Sequence, residues 1–388
     1  MKHRVAFTLI GGHAWMGGLN YQVNLISALL EFENQRVEPI LFLGDDVAID
    51  VLERFNALDG LKIVHSQEFN RSHKNRRLLK AIVTGCDTDA LAVFKVHEID
   101  VVFEAADFYG WHFNIPTIAW IPDLQHRKLR QYFGFFAFWK REIGFRMQVY
   151  AKRHIMLSSL DAAKDFQQFY KLPNERLHVV NFSVPVRPIK FDFEVLLAKY
   201  NLPRHFFYLP NQFWQHKNHE CVIKALGIAK REGKEIIVAV SGNHEDSRDT
   251  DYFPKLLSLI AAESVEDNFR VLGMIPYDDV QALMLSAAAL INPSRFEGWS
   301  TTVEEAKSLG VEMLLSDINV HREQAEQNAL FFEQDKPAQL AEQMITLSSI
   351  SIDKRIEDMK QAAERSRTFM SLFAMKFTTV VEAAAKSL

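Results

Sequence analysis

The chain has 388 residues, with 45 Lys and Arg against 49 Asp and Glu, a formal charge of −4 with its 14 histidines neutral. With 48% apolar and 24% charged residues it is no disordered chain, and the lack of a cationic excess excludes a protein that grips nucleic acid with its whole surface. Two cysteines, Cys86 and Cys221, exclude a disulfide framework or a cysteine-rich zinc site, and they predict a reducing, cytoplasmic setting.

At the N-terminus, residues 5–10 form an apolar run too short for a signal peptide, which reads as a buried first strand. No run reaches the roughly 18 apolar residues needed to cross a bilayer, so the expected location is cytoplasmic or peripheral on the inner face of the plasma membrane. Two glycine pairs follow, Gly11-Gly12 and Gly17-Gly18. A helix over 21–32 then carries Val23, Ile26, Leu29 and Leu30 on one face. Short apolar strands at 40–43, 62–64, 101–103, 117–120 and 155–157 alternate with amphipathic segments, the pattern of a parallel sheet covered on both faces.

Periodicity breaks over 181–203, where Pro185, Pro188 and Pro203 mark a linker. The strand–helix pattern then restarts, with strands at 206–209, 236–241, 270–272, 289–292 and 313–316, and the tail from about 356 to 388 is helical. The expectation is therefore α/β: two doubly wound, Rossmann-like domains facing a central cleft, with ligands at the carboxyl ends of the strands. Residues 1–186 form the first domain and 187–369 the second, and a C-terminal helix of about 370–388 crosses back to pack on the first.

The most informative stretch runs from Asn292 to Ala306. A strand ends at Asn292, a loop passes through Glu297, Gly298 and Trp299, and a helix begins after Ser300 as N-cap, with Thr301 first in it. Glu305 follows Glu297 by eight positions. Loop N–H groups and a helix N-terminus suit a phosphate, and carboxylates suit sugar hydroxyls.

Pro293-Ser294-x-Phe296-Glu297-Gly298, followed by Glu305-Ala306, Gly310 and Ser316-Asp317, resembles the Glu-x7-Glu signature of family 4 glycosyltransferases, retaining enzymes of the GT-B fold. The resemblance extends in order along the chain. Gly17-Gly18 resembles the donor-phosphate loop of the first domain. Asn211-Gln212-Phe213-Trp214-x-His216-Lys217-Asn218-His219 resembles the opening of the second, and Arg270–Gly273 with Ile275-Pro276 resembles the loop that meets the nucleotide base.

The resemblance implies that Glu297 contacts hydroxyls of the transferred sugar, Glu305 holds the ribose and Lys217 neutralises the donor diphosphate. Three departures stand out. The family's arginine before the lysine is Asn211 here, leaving His216, His219 or Gln212 as substitutes. Its Gly-x-Pro is Gly310-Val311-Glu312. Its histidine–aspartate pair is Pro122-Asp123, so Asp123 fits the aspartate, and His126 either takes the histidine's role or is an ordinary loop histidine.

The resemblance implies no cofactor, because the nucleotide-sugar is a substrate. Asp87-Thr88-Asp89 and Asp249-Thr250-Asp251 imitate the Asp-x-Asp of metal-dependent glycosyltransferases, but neither follows a buried strand, and no metal is expected.

Residues 127–153 carry eight basic residues against one acid, Glu142, together with eight aromatics. Such a segment suits an anionic membrane surface or a lipid diphosphate, or else a half-buried helical hairpin with a solvated basic face. The leading expectation is transfer of a sugar from a nucleotide-sugar to a glycan or lipid-linked acceptor, in bacterial surface polysaccharide synthesis. An epimerase or hydrolase of the same fold, or a non-catalytic nucleotide-sugar-binding subunit, are the alternatives.

Overall fold

A computed structural model describes residues 2–12, 15–105, 107–186, 190–246, 249–325, 329–347 and 353–387, with 353–360 described in backbone only. Pro188 of the expected linker lies outside the described residues. The chain divides into two compact units, Met1–Ser183 with Thr368–Leu388, and Val184–Arg367.

In the first unit the chain runs through β1 (His3–Thr8), α1 (Met16–Phe32), β2 (Val37–Leu43), β3 (Lys62–His65), α2 (Lys74–Thr84), β4 (Val101–Glu104), β5 (Thr117–Trp120), α3 (Phe135–Tyr150), β6 (His154–Leu157) and β7 (Leu177–Val179), with shorter helices between. All its strand pairings are parallel, in the order β3-β2-β1-β4-β5-β6-β7. Central strands such as β4 and β5 are buried along their whole length, which is why they read as unbroken apolar runs. The edge strand β7 is half-buried and holds His178, so it gave no apolar run to find.

The second unit contains β8 (Phe207–Leu209), α4 (His219–Arg231), β9 (Val238–Ser241), β10 (Phe269–Gly273), α5 (Tyr277–Ser286), β11 (Leu290–Asn292), α6 (Thr301–Leu309), β12 (Met313–Ser316) and β13 (Ala329–Phe332). Its sheet is again parallel, ordered β10-β9-β8-β11-β12-β13. Each sheet starts at an inner strand, builds outward to one side and then returns to the other. Its switch point therefore lies between β1 and β4 in the first unit and between β8 and β11 in the second.

The last helix, α7 (Asp353–Ala385), belongs to the second unit up to Arg367 and to the first from Thr368. Phe377 packs against Phe7 and Phe103, with ring centroids 5.8 and 5.3 Å away, and Glu382 pairs with Arg36 at 2.7 Å. Many of the chain's 30 phenylalanines are core of this kind. Phe7, Phe42, Phe55, Phe94, Phe103 and Phe166 are fully buried in the first unit.

Candidate functional site

The switch point of the second unit is built from two asparagines. Asn292, the last residue of β11, is fully buried. Its Oδ1 accepts from Asn211 Nδ2 at 3.3 Å and from Ser294 Oγ at 2.7 Å, and its Nδ2 donates to Ser300 Oγ at 2.9 Å and Thr302 Oγ1 at 3.3 Å. These bonds tie the loop after β8 to the loop after β11 and to the start of α6. Asn211 thus lies in the strand-end network, and no cationic side chain occupies that position. Gln212 is turned aside as well, its Oε1 accepting from the Asn243 N–H at 2.7 Å.

A second clamp sets the lysine. Asn218 adopts a left-handed conformation, φ +58°, which asparagine tolerates better than most residues. Its Nδ2 donates to the Pro293 carbonyl at 3.1 Å and the Gln334 carbonyl at 2.9 Å, and its Oδ1 accepts from Arg295 Nη2 at 3.0 Å. Held this way, Lys217 points its Nζ at Glu297 Oε1, 2.6 Å away, and only 13% and 10% of the two side chains are exposed. Burial alone would raise the Glu297 carboxyl. Lys217, by its charge and its hydrogen bond, outweighs that and holds it below the usual carboxylate range.

The neighbouring glutamates of α6 part company. Glu305 accepts from the Tyr277 hydroxyl at 2.7 Å, and Tyr277 in turn accepts from Gln281 at 3.1 Å. Glu304 pairs with Lys307 at 2.7 Å and accepts from Gln324 at 3.1 Å, a packing role. Ser300 stands at the N-cap, but its hydroxyl makes no capping bond. It accepts from Asn292, and its backbone N–H donates to Gln324 Oε1 at 3.1 Å. Thr301 opens the helix, preceded by Gly298 and Trp299. Gly273 takes φ +70°, its carbonyl accepts from the Gly242 N–H at 3.0 Å, and Ile275 packs on the core beside it.

Nothing in the sequence pattern marks His321. It is fully buried, its Nδ1 lies 2.9 Å from the Ser316 carbonyl, and burial pushes it down to about 4, so it is neutral near pH 7. Nor does residue type or spacing mark Tyr277, Gln324, Asn218 or Asn292, polar side chains that act by fixing another.

In the first unit the structure corrects two expectations. Gly17 and Gly18 are not loop residues, because α1 already begins at Met16. Of the two glycine pairs it is Gly11 and Gly12 that take left-handed backbone, φ +77° and +123°. Gly18 instead makes room for Trp15, whose ring would stand 2.6 Å from a Cβ there. His126 is not at a loop surface either. It is wholly buried, ringed by Phe133, Phe138 and Phe145, with Nε2 3.4 Å from Glu142 and 3.5 Å from the Tyr170 hydroxyl. Asp123 is partly exposed. It accepts from the Gln125 N–H at 2.9 Å and from Arg141 at 3.2 Å.

The basic segment is also rearranged. Glu142, fully buried, takes Arg127 and Arg146 (2.7 Å) and the Tyr170 hydroxyl (2.8 Å). Burial opposes its ionisation, yet these partners hold it down to about 2. Asp165 pairs with Lys128 and Asp123 with Arg141, both acids lying outside the window counted in sequence. Among the described residues only Arg130, Lys140, Lys152 and the buried Arg153 of the eight have no ion pair. Of the aromatics, Phe133 and Phe138 turn inward, while Phe135, Phe136, Trp139 and Tyr150, with the aliphatic Ile143, form an exposed stripe along α3, Phe136 being 87% exposed.

The two Asp-x-Asp tripeptides open helices. Asp87 is buried, caps the helix Thr88–Val96 and pairs with Arg77 at 2.7 Å, and Asp249 accepts from the Asp251 N–H at 3.2 Å. Among the described residues no three His, Cys, Asp or Glu side chains cluster in a way that suits a metal ion. No described helix is long and apolar enough to cross a membrane.

Residues 197–366 match the family profile of the glycosyl transferases group 1. The Salmonella typhimurium O-antigen chain mannosyltransferase RfbU is 24% identical over 228 residues, which are 59% of this chain and 58% of that one. The crystal structure of a glycosyltransferase from Rickettsia africae superposes with a TM-score of 0.70 at 14% identity, covering 100% of both chains. Anabaena HepE, solved with UDP and glucose, also scores 0.70 at 14% identity, over 98% of this chain and 99% of that one. The fold is GT-B, and residues 197–366 are similar to the glycosyl transferases group 1.

Proposed function

We propose that the protein is a retaining glycosyltransferase of family 4 that moves a hexose from a nucleotide-sugar to a glycan or lipid-linked acceptor in surface polysaccharide synthesis. The observation that carries this reading is the buried Lys217–Glu297 pair at the switch point of the second unit, with Glu305 on Tyr277 in the following helix. It agrees with the activity named for RfbU and with the UDP-glucose bound to HepE in another crystal structure.

Without donor, each charge of the pair satisfies the other. A donor diphosphate takes the Lys217 ammonium, the sugar hydroxyls take Glu297, and Glu305 accepts from the ribose. The acceptor oxygen bonds to the anomeric carbon as the bond to the phosphate oxygen breaks, on the same face, and the acceptor's proton passes to the leaving phosphate. The chain's part is to position the reactants and to stabilise the negative charge that appears on the leaving oxygen. Gly273 and Ile275 flank the base, and Gly298, Trp299, Ser300 and Thr301 shape the phosphate pocket. Asp123 is the acceptor-side carboxylate, and His126 is given no chemical step.

We infer further that the α3 stripe rests on a lipid surface, mainly through its aromatic side chains, because acids neutralise much of the local basic charge. A non-catalytic donor-binding subunit is the second reading, favoured by Asn211, which offers no charge to a phosphate. Incubating the protein with nucleotide-sugars and an acceptor panel, and determining the anomer of any product, tests both. A product with retained configuration supports the first reading. Donor binding without turnover supports the second.

A further inference from the structure

The first unit has its own switch point, and a cavity of ≈ 140 Å³ opens there at the carboxyl ends of β1, β2 and β4. That is space for on the order of ten water-sized groups, the scale of one sugar ring. Its wall carries Thr8, Gly11, Asp46, Arg71, Lys74 and Asp107. Gly11 makes the turn after β1 possible, since a Cβ there would stand 2.3 Å from the Trp15 carbonyl oxygen.

Charge around the cavity is unevenly compensated. Lys74 lies 3.2 Å from Asp107, which also takes the Thr8 hydroxyl at 3.5 Å, and Arg77 is paired with Asp87. Asp46 accepts the Arg71 backbone N–H at 2.8 Å and so fixes the turn that carries that residue. The Arg71 guanidinium itself has no hydrogen bond or ion pair with any described residue, although its Nη2 stands only 3.7 Å from where a Cβ on Gly12 would be. One planar cation therefore faces a polar cavity whose other walls offer two carboxylates.

We propose that this cavity holds the acceptor, and that the acceptor is an anionic saccharide, a sugar bearing a carboxylate or a phosphate. Arg71 takes the anion with its forked donors, while Asp46 and Asp107 accept from ring hydroxyls. The proposal rests on the reading of the protein as a glycosyltransferase and states the chemistry of what it glycosylates.

The test uses isothermal titration of the full chain with methyl glucuronide, glucose 6-phosphate and neutral methyl glucoside, each with and without UDP. Wild-type protein binds one or both anionic probes at least tenfold more tightly than methyl glucoside. Arg71→Ala loses about tenfold or more of that affinity, the scale of one charge-assisted hydrogen-bonded contact. Arg71→Lys recovers part of it. Which anionic probe binds assigns carboxylate or phosphate.

Equal binding of all three probes, or unchanged anion affinity in an Arg71→Ala protein that melts like wild type, overturns the proposal. If no member of a nucleotide-sugar panel binds while Arg71-dependent anion binding persists, the glycosyltransferase reading fails and the anion site stands.

Discussion

The two switch points share a topology and differ in how they treat charge. In the second unit a lysine and a glutamate face each other at 2.6 Å, both largely buried, with loops locked by Asn218 and Asn292. In the first unit the corresponding strand ends open into a cavity where one arginine lacks a partner among the described residues. The difference is one of preorganisation. On the proposed function, the buried pair is fixed before the ligand arrives and brings oriented charge to a bond that breaks, whereas the solvated arginine selects a ligand and brings little to the chemistry.

That contrast is broken most forcefully at Lys217. Replacing it with Ala should lower turnover about 10²–10³-fold in a steady-state assay, the scale of removing one group that stabilises transition-state charge. Arg71→Ala should instead raise the KM for the acceptor and leave turnover at saturation little changed. Equal effects of the two variants on turnover would erase the distinction.

The first unit contains compensated buried charge too, in Arg77–Asp87 beside the cavity and in Glu142 away from the switch point. Glu142→Gln leaves Arg127 and Arg146 without their carboxylate. It should cost about 2–3 kcal/mol in urea unfolding, at the low end for a buried pair because both arginines reach solvent. Nucleotide-sugar binding by the second unit should survive. Its loss in a protein that remains folded would show that the two regions are not independent.

A smaller effect concerns pH. Burial pushes His321 down to about 4 from its ordinary 6.5. As pH falls below 6.5 the unfolded chain takes up a proton that the folded site refuses, so stability is lost between about 6.5 and 4, and this group adds no further loss below that. His321→Gln should remove about 1 kcal/mol of the destabilisation measured between pH 7.5 and 5.5. Identical pH slopes for variant and wild type would place the acid sensitivity elsewhere.

The smallest expected change is at α3. Phe136→Ser with Trp139→Ser should weaken sedimentation with anionic vesicles severalfold without changing the melting temperature. Unaltered sedimentation would remove the membrane contact from the account.

The sequence carried most of the fold because buried parallel strands announce themselves as apolar runs, as at Thr117–Trp120 and Met313–Ser316. It lost two edge strands, β7, whose run His178 interrupts, and β13. Glu297 and Lys217 were legible because their neighbours follow a recognisable pattern. Asn218 and Tyr277 were not, since their partners lie 75 and 28 positions away, and His321 was not, since its partner is a backbone carbonyl that residue type does not reveal. Net charge over 127–153 misled for the same reason: the acids that neutralise Lys128 and Arg141 come from outside that window.

The central claim is that the second unit holds a nucleotide-sugar diphosphate through Lys217. Removing Lys217 alone strands Glu297 in a buried site, so the direct comparison is wild type against the Lys217→Met/Glu297→Gln double variant, which leaves no orphan charge. Melting temperature is measured across a panel of nucleotide-sugars. A ligand that binds only the folded state raises it. The account predicts a clear rise for at least one nucleotide-sugar in wild type, its loss in the double variant and its retention in Arg71→Ala. An undiminished rise in the double variant, or no rise in wild type with any nucleotide-sugar, would contradict it.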